Sequence, residues 1–184
     1  MSITREEAEK LVKKYIKKRN WFLHVTAVEA IMRDLAKHLG ENEDLWGLTG
    51  LLHDIDFEET MKTPERHGLE AEKILKGIVP DNVIQAIKAH NSLTKIEPEN
   101  PMEKALIASD AVSGLIIASA LVMPSKKLSE VRLETLIRKF KDKSFARGAD
   151  RKRILICEEL GLSRDGFLKL ALESLQKISS RLGL

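Results

Sequence analysis

The stretch NPMEKALIASDAVSGLIIASALVMP, residues 100–124, decides the fold predicted for this chain. Asn100, with Glu103 three residues later, predicts a capping box at the start of a helix, and the proline at the end of the stretch stops that helix. Residues 105–123 approach the roughly 20 apolar residues of a membrane span, yet they include Asp110 and three serines. We therefore predict a buried central helix and no membrane span.

Helix signals continue on both sides of this central helix. Apolar residues recur at helical spacing, and capping residues, glycines and prolines stand at the ends of the periodic segments. No segment alternates apolar and polar residues between turn pairs, so the chain is predicted to be all-α. Further helices are predicted at about residues 4–18, 24–39, 44–54, 63–77, 81–90, 129–141, 150–160 and 163–181.

The composition indicates a globular protein. With 184 residues the chain is long enough for one domain of ordinary size. Hydrophobic residues make up 43% and charged residues 32%, which is too apolar and too mixed in sign for a disordered chain. The single cysteine, Cys157, excludes an internal disulfide and a cysteine-based zinc finger. Because the first residues turn charged without an apolar segment, we expect no secretory signal and a cytoplasmic location.

Histidines and aspartates are the candidate functional residues. His53 and Asp54 form a doublet that follows the apolar run of residues 48–52, and Asp110 lies inside the central helix. An unpaired, ionised aspartate in so apolar a helix would be very costly, and a metal ion is one of the few partners that would compensate it. Three more histidines stand beside apolar segments on other predicted helices: His24, His67 and His90.

The predicted ligands are imidazoles and carboxylates, without a thiolate. Such a set suits iron, manganese, zinc, nickel or magnesium and disfavours a closed structural zinc site. Open coordination positions favour catalysis. We therefore predict one or two divalent metal ions as the cofactor, with the metal identity left open.

These residues resemble a known family. His24, then the doublet within GLLHDID, then Asp110 within SDA, resemble the H…HD…D signature of the HD superfamily of metal-dependent phosphohydrolases. The segments HGLEA at 67–71 and AIKAHN at 86–91 are similar to the two further histidines of its binuclear branches. The resemblance covers about residues 20–120. It implies a compact HD-type helical bundle forming a single domain over residues 1–184, with helices of residues 125–184 packing on a metal-site core.

The resemblance also implies roles for the residues. A first metal would be held by His24, His53, Asp54 and Asp110, and Asp54 would bridge to a second metal held by His67 and His90. The implied activity is hydrolysis of a phosphoester or phosphoanhydride in a small phosphorylated compound, with a nucleotide favoured, by a metal-activated water. Asp56, close after the doublet, is predicted to act with Asp54 as a catalytic carboxylate that orients the water or protonates the leaving oxygen.

The basic charge of the chain is concentrated in one segment. Residues 126–153 contain 11 Lys and Arg against 4 Asp and Glu, whereas the whole chain has a net charge of +3. Most of these charges are expected to face solvent. Four of them are predicted to contact substrate phosphate around a turn that opens a helix: Lys141, Lys143, Arg147 and Arg151. No nucleic-acid-binding motif is present, and Trp21 and Phe57 are expected in the core.

Three other functions remain open from the sequence. The chain could be a non-catalytic binding or sensing module that keeps its metal, a di-iron oxygenase of the same superfamily, or an interaction protein that uses its basic face. The bond cleaved, the native metal and the oligomeric state are not fixed by the sequence.

Overall fold

Helices and connecting turns make up residues 3–184, the part of the chain that the computed structural model describes, and no strand occurs there. The prediction of an all-α fold is confirmed. Short 3-10 turns lie at Pro64–Arg66, Ser92–Thr94, Leu128–Glu130 and Ile156–Leu160. The α-helices are α1 (Arg5–Tyr15), α2 (Arg19–Leu39), α3 (Glu43–Leu52), α4 (Phe57–Thr60), α5 (Leu69–Leu75), α6 (Asp81–His90), α7 (Pro101–Leu121), α8 (Leu133–Lys141), α9 (Arg151–Leu155), α10 (Arg164–Lys177) and α11 (Ser179–Leu182).

Local sequence signals explain where several helices begin and end. Asn100 and Glu103 form the predicted capping box at the start of α7, in which each side chain accepts a hydrogen bond from the other residue's backbone N–H. Gly40 ends α2 in the left-handed conformation, with φ at 74°. These caps are confirmed as predicted.

The helix predicted over residues 63–77 is wrong in its first part. A 3-10 turn occupies Pro64–Arg66, and α5 begins only at Leu69. The cause is Gly68, whose φ of +86° is a left-handed value that breaks the helix. A Cβ atom at this position would also lie 2.9 Å from the carbonyl oxygen of Ile87, so the loop passes very close to α6.

Helix α7 is the centre of the fold. It is long and apolar enough to cross a membrane by length and composition, but 67% of its most apolar window is buried inside the structure. It packs against α2 and α6 on one side and against α8, α9 and α10 on the other. The prediction of a buried central helix is confirmed.

Helices α2 and α3 make the most extensive helix–helix contact among the described residues. A Cβ atom at Gly50 of α3 would lie 3.0 Å from the backbone of Glu29 in α2, so the two main chains touch. Both helices and α6 contribute to two clusters of buried apolar residues, one built around α7 and the C-terminal helices and one around α1 and α5. The helices that carry the predicted site residues are therefore fixed by both clusters.

Candidate metal centre

The structure brings together all six predicted metal ligands, although they come from five separate parts of the fold. His24 lies near the start of α2, and the His53–Asp54 doublet follows the last residue of α3. His67 precedes Gly68, the left-handed residue before α5. The remaining two ligands are His90, the last residue of α6, and Asp110, in the middle of α7. We call these six residues the His–Asp cluster.

Asp54 is the residue that joins the two halves of the cluster. Ligand atoms of His24, His53 and Asp54 lie within 4.8 Å of one another, and so do those of Asp54, His67 and His90. Asp54 Oδ1 is 3.3 Å from His53 Nε2 and 3.2 Å from His67 Nε2. Each half can hold one metal ion, and the Asp54 carboxylate is placed to contact both.

Asp110 completes the first half. Its Oδ1 atom lies 3.2 Å from His24 Nε2 and 3.9 Å from His53 Nε2. Its other carboxylate oxygen, Oδ2, accepts a hydrogen bond from Arg153 Nη2 at 2.8 Å. One oxygen of Asp110 therefore faces the histidines while the other is held by an arginine.

The second nitrogen of each histidine fixes its ring. His53 Nδ1 donates to the Gly50 carbonyl at 2.8 Å, and His90 Nδ1 donates to the Ile87 carbonyl. A carbonyl oxygen can only accept, so each Nδ1 carries a proton and each neutral ring has its lone pair on Nε2. Both rings therefore present the atom that binds metals to the centre of the cluster.

The other two histidines are oriented by side chains. His67 Nδ1 lies 2.8 Å from Asp56 Oδ1, which accepts a hydrogen bond from the ring N–H. His24 Nδ1 lies 3.2 Å from the Ser113 hydroxyl, which donates its own proton to the Asp110 carbonyl and so accepts from the ring. Such partners are typical of metal-binding histidines because they fix the tautomer.

A buried nitrogen of His53 that lacks a hydrogen-bond partner indicates that the cluster fits a metal ion. His53 Nε2 is fully buried and has no hydrogen-bond partner among the described residues. His67 Nε2 and His90 Nε2 face each other at 3.0 Å. Lone pairs that converge on one another and on carboxylate oxygens repel unless a cation lies among them. The donor set therefore fits divalent metal ions.

The protonation of the cluster supports the same conclusion. Burial alone would raise the pKa values of Asp54 and Asp110, but the surrounding histidines hold both well below their usual range. Burial would lower the pKa of His67, but its hydrogen bonds with Asp54 and Asp56 raise it to about 10. Burial lowers the pKa of His53 to about 4, so that ring is neutral. The ionised carboxylates attract positive charge, which metal ions can supply in place of histidine protons.

Comparison with known families agrees with this geometry. A family model described as an HD domain matches residues 21–121, which is more than half of the chain. The chain belongs to the HD domain family. HD domains are in general metal-dependent hydrolases that bind divalent metals, so the cluster lies in a hydrolase-type fold. The chain has no significant match among curated proteins or solved structures.

An opening of about 250 Å³ leads to the His–Asp cluster of the HD domain. Trp21 and Phe57, which were expected in the core, border this opening instead, and their ring centroids are 4.3 Å apart. They are only half-buried because they lie in the first turns of α2 and α4, at the rim of the site. Asn91 lies on the same rim, where its amide donates to the backbone carbonyls of Pro64 and His67.

Asp56, predicted to orient the reacting water or protonate the leaving oxygen, directs its carboxylate into the protein. Its side chain is buried, with 1% of the residue exposed. One oxygen accepts from His67, and the other accepts from the backbone N–H groups of Gly68 at 2.8 Å and Ala71 at 2.9 Å. All of its hydrogen bonds hold the loop and the ring of His67, which leaves no oxygen directed to substrate.

We expect Asp56→Asn to weaken the second half of the cluster selectively. The Asn oxygen would stay with the Gly68 and Ala71 N–H groups, so its NH2 group would face His67 Nδ1. That contact moves the ring proton to Nε2, where it blocks metal binding. Metal affinity of the His67–His90 half should fall by about 10- to 100-fold, measured by metal titration. Glu59→Gln, on the exposed carboxylate that follows the same doublet, is the control and should bind metal as wild type does.

The predicted phosphate-contacting residues lie apart from the cluster. Lys141, Lys143 and Arg147 are exposed, and among the described residues they do not border the openings around it. The Arg151 guanidinium donates to backbone carbonyls of the segment from α8 to α9. Gly148, Ala149 and Asp150 of the same basic segment border a small cavity, of about 150 Å³, beside Asp110.

Besides the rim residues, sequence reasoning missed two residues that contact the ligands. Arg153 lies in the basic segment but was not among the four selected, because only the tertiary structure brings it against Asp110. Ser113 could have been found, since it stands one helical turn after Asp110 and so lies on the same face of α7. Its contact with His24 joins two of the predicted ligands.

Proposed function

We propose that the protein is a metal-dependent phosphohydrolase that cleaves a phosphoester or phosphoanhydride bond of a nucleotide. The observation that carries this proposal is the His–Asp cluster of an HD domain, with six convergent ligands beneath an open rim. The first metal would be held by His24, His53, Asp54 and Asp110, and the second by Asp54, His67 and His90. When bound, the cations would supply acidity to water and positive charge to phosphate oxygens.

The reaction transfers the phosphoryl group to water. A bond forms from the water oxygen to phosphorus, the bond from phosphorus to the leaving oxygen breaks, and one water proton ends on the leaving group. Of the carboxylates near the cluster, Asp54 and Asp110 border the opening, whereas Asp56 does not. One of these two would take the proton from the water and pass it to the leaving oxygen, and Asp56 would keep His67 in place.

The rim supports a nucleotide as the substrate. Trp21 and Phe57 present aromatic side chains at the opening, where a planar base can stack while its phosphate reaches the cluster. The opening is small, about 250 Å³, which favours a small phosphorylated compound over a polymer.

We expect two metal ions per chain in protein purified without chelator or metal-affinity tag. His67→Ala should reduce the content to about one ion, because it removes a ligand of the second half only. Elemental analysis measures both values. His38→Ala is the matched control, since His38 is the remaining histidine and is exposed on α2. One ion per chain in both wild type and His67→Ala would contradict the binuclear assignment.

Hydrolysis assays then separate the candidate functions. Nucleoside mono- and polyphosphates and a generic phosphodiester should release phosphate or a phosphomonoester with manganese present, with and without oxygen. A metal-containing protein without turnover would be a sensing module, and a strict need for oxygen would indicate an oxygenase. Partner binding that depends on the basic face and survives loss of the ligands would indicate an interaction protein.

A further inference from the structure

Among the described residues, Arg153 is the arginine whose side chain contacts the His–Asp cluster, through Asp110. It is not one of the six predicted metal ligands. It lies in the short helix α9. A single nitrogen, Nη2, holds it in place by donating to the His90 carbonyl at 3.0 Å and to Asp110 Oδ2 at 2.8 Å. The guanidinium is thus fixed between a residue of each half.

The rest of the Arg153 guanidinium is left available. Its Nε and Nη1 atoms have no hydrogen-bond partner among the described residues, and the side chain is 31% exposed. It borders the opening of about 250 Å³, the small cavity of about 150 Å³ beside Asp110, and a groove of about 300 Å³ lined in part by Ile96 and Ile107. A ligand can therefore reach its free donors from several directions.

Arg151, in the same helix, shows how a structural arginine differs. Each of its nitrogens donates to at least one backbone carbonyl; Nη1, for example, bonds to Ala146 and Ala149. Arg151 has no free edge for a ligand, whereas Arg153 is held at one corner only. The Nη1 group of Arg153 carries two N–H donors that neither Asp110 nor His90 uses, and such a charged donor group matches the oxygens of a phosphate.

We propose that Arg153 binds the phosphoryl oxygens of the substrate through its free Nη1 group. This inference rests on the proposed phosphohydrolase function and names a residue that selects a phosphate group at that site. Its bonds to Asp110 and to the His90 carbonyl place the bound phosphate beside both halves of the cluster. The arginine thus adds a fixed positive charge opposite the histidines.

Titration of inorganic phosphate tests this assignment. We would measure phosphate affinity by calorimetry for wild type, Arg153→Gln and Lys152→Gln, each with manganese and each metal-free, together with the metal content. Arg153→Gln should bind phosphate about 10- to 100-fold more weakly with unchanged metal content. Lys152→Gln removes the same charge from the adjacent exposed residue and should bind phosphate as wild type does.

The outcomes separate the two proposals. Unchanged phosphate affinity in Arg153→Gln overturns the assignment whether or not metal binds. If wild type binds no metal, the phosphohydrolase proposal fails, and the metal-free titrations decide on Arg153 by the same criterion. If Arg153→Gln loses metal or unfolds, Arg153→Lys decides, because it can keep the ion pair with Asp110. A lysine that pairs with Asp110 has no second nitrogen left for the phosphate, so affinity should fall about 3- to 10-fold with metal retained, and unchanged affinity overturns the proposal.

Discussion

Asp54→Asn should abolish hydrolysis and prevent stable binding of both metal ions. Asp54 is the one residue that belongs to both halves of the His–Asp cluster, so the substitution removes a ligand and a negative charge from each. Its amide group would also point toward histidine Nε2 atoms that need a cation. We expect turnover to fall by at least about 1,000-fold, which corresponds to the several kcal/mol that metal ions supply to such reactions.

Thermal unfolding provides a second measurement for the same variant. Manganese at about 100 times its dissociation constant should stabilise wild type by about 2.7 kcal/mol, or about 5–10 °C in Tm for a chain of this size. Asp54→Asn should show little of this shift. Asp81→Asn makes the same chemical change at an exposed residue and should keep both activity and the shift. A manganese-dependent shift of wild-type size in Asp54→Asn would refute the shared-ligand assignment.

Arg151→Ala should cost stability and leave phosphate binding intact. The side chain replaces missing backbone partners in the last turn of α8 and the irregular segment after it, where six carbonyls accept from it at 2.6–3.2 Å. The alanine variant leaves these carbonyls to water or without a partner. We expect a loss of about 2–4 kcal/mol in the free energy of unfolding, because hydrogen bonds from a charged donor are individually strong but not additive. The accepting residues are Lys139, Phe140, Asp142, Phe145, Ala146 and Ala149.

Urea unfolding measures that loss. Arg147→Ala is the control, because Arg147 is exposed and should change stability by no more than about 0.5 kcal/mol. Arg151→Lys should also be destabilised, since one ammonium cannot reach carbonyls that surround a planar guanidinium. If Arg151→Ala were as stable as wild type and bound phosphate weakly, the substrate patch predicted from the sequence would be correct.

The fold was predictable where the signals are local. The capping box of Asn100 and Glu103, the stop at Gly40 and the apolar length of α7 all depend on residues close in sequence. The helix predicted over residues 63–77 failed because Gly68 is left-handed where the loop passes close to the carbonyl of Ile87. That contact joins distant parts of the chain and leaves no local pattern.

The candidate site shows the same division. The ordered spacing of histidines and aspartates indicated the ligand set, and the structure brings those residues together. Which arginine side chain lies beside these ligands could not be predicted. Arg147, Arg151 and Arg153 are similar in sequence context, and only tertiary contacts make one exposed, one structural and one part of the site. The role of Asp56 was likewise hidden, because its partners belong to the loop that Gly68 shapes.

The contact between α2 and α3 at Gly50 limits how this protein can evolve. Any residue larger than glycine would push α3 away from Glu29, and the doublet at the end of α3 would move away from His24 with it. The spacing of these ligands is therefore set by two touching main chains and not by the side chains around them. Buried apolar residues nearby can be exchanged for others of similar volume at little cost. The surrounding sequence is free to diverge, while position 50 is not.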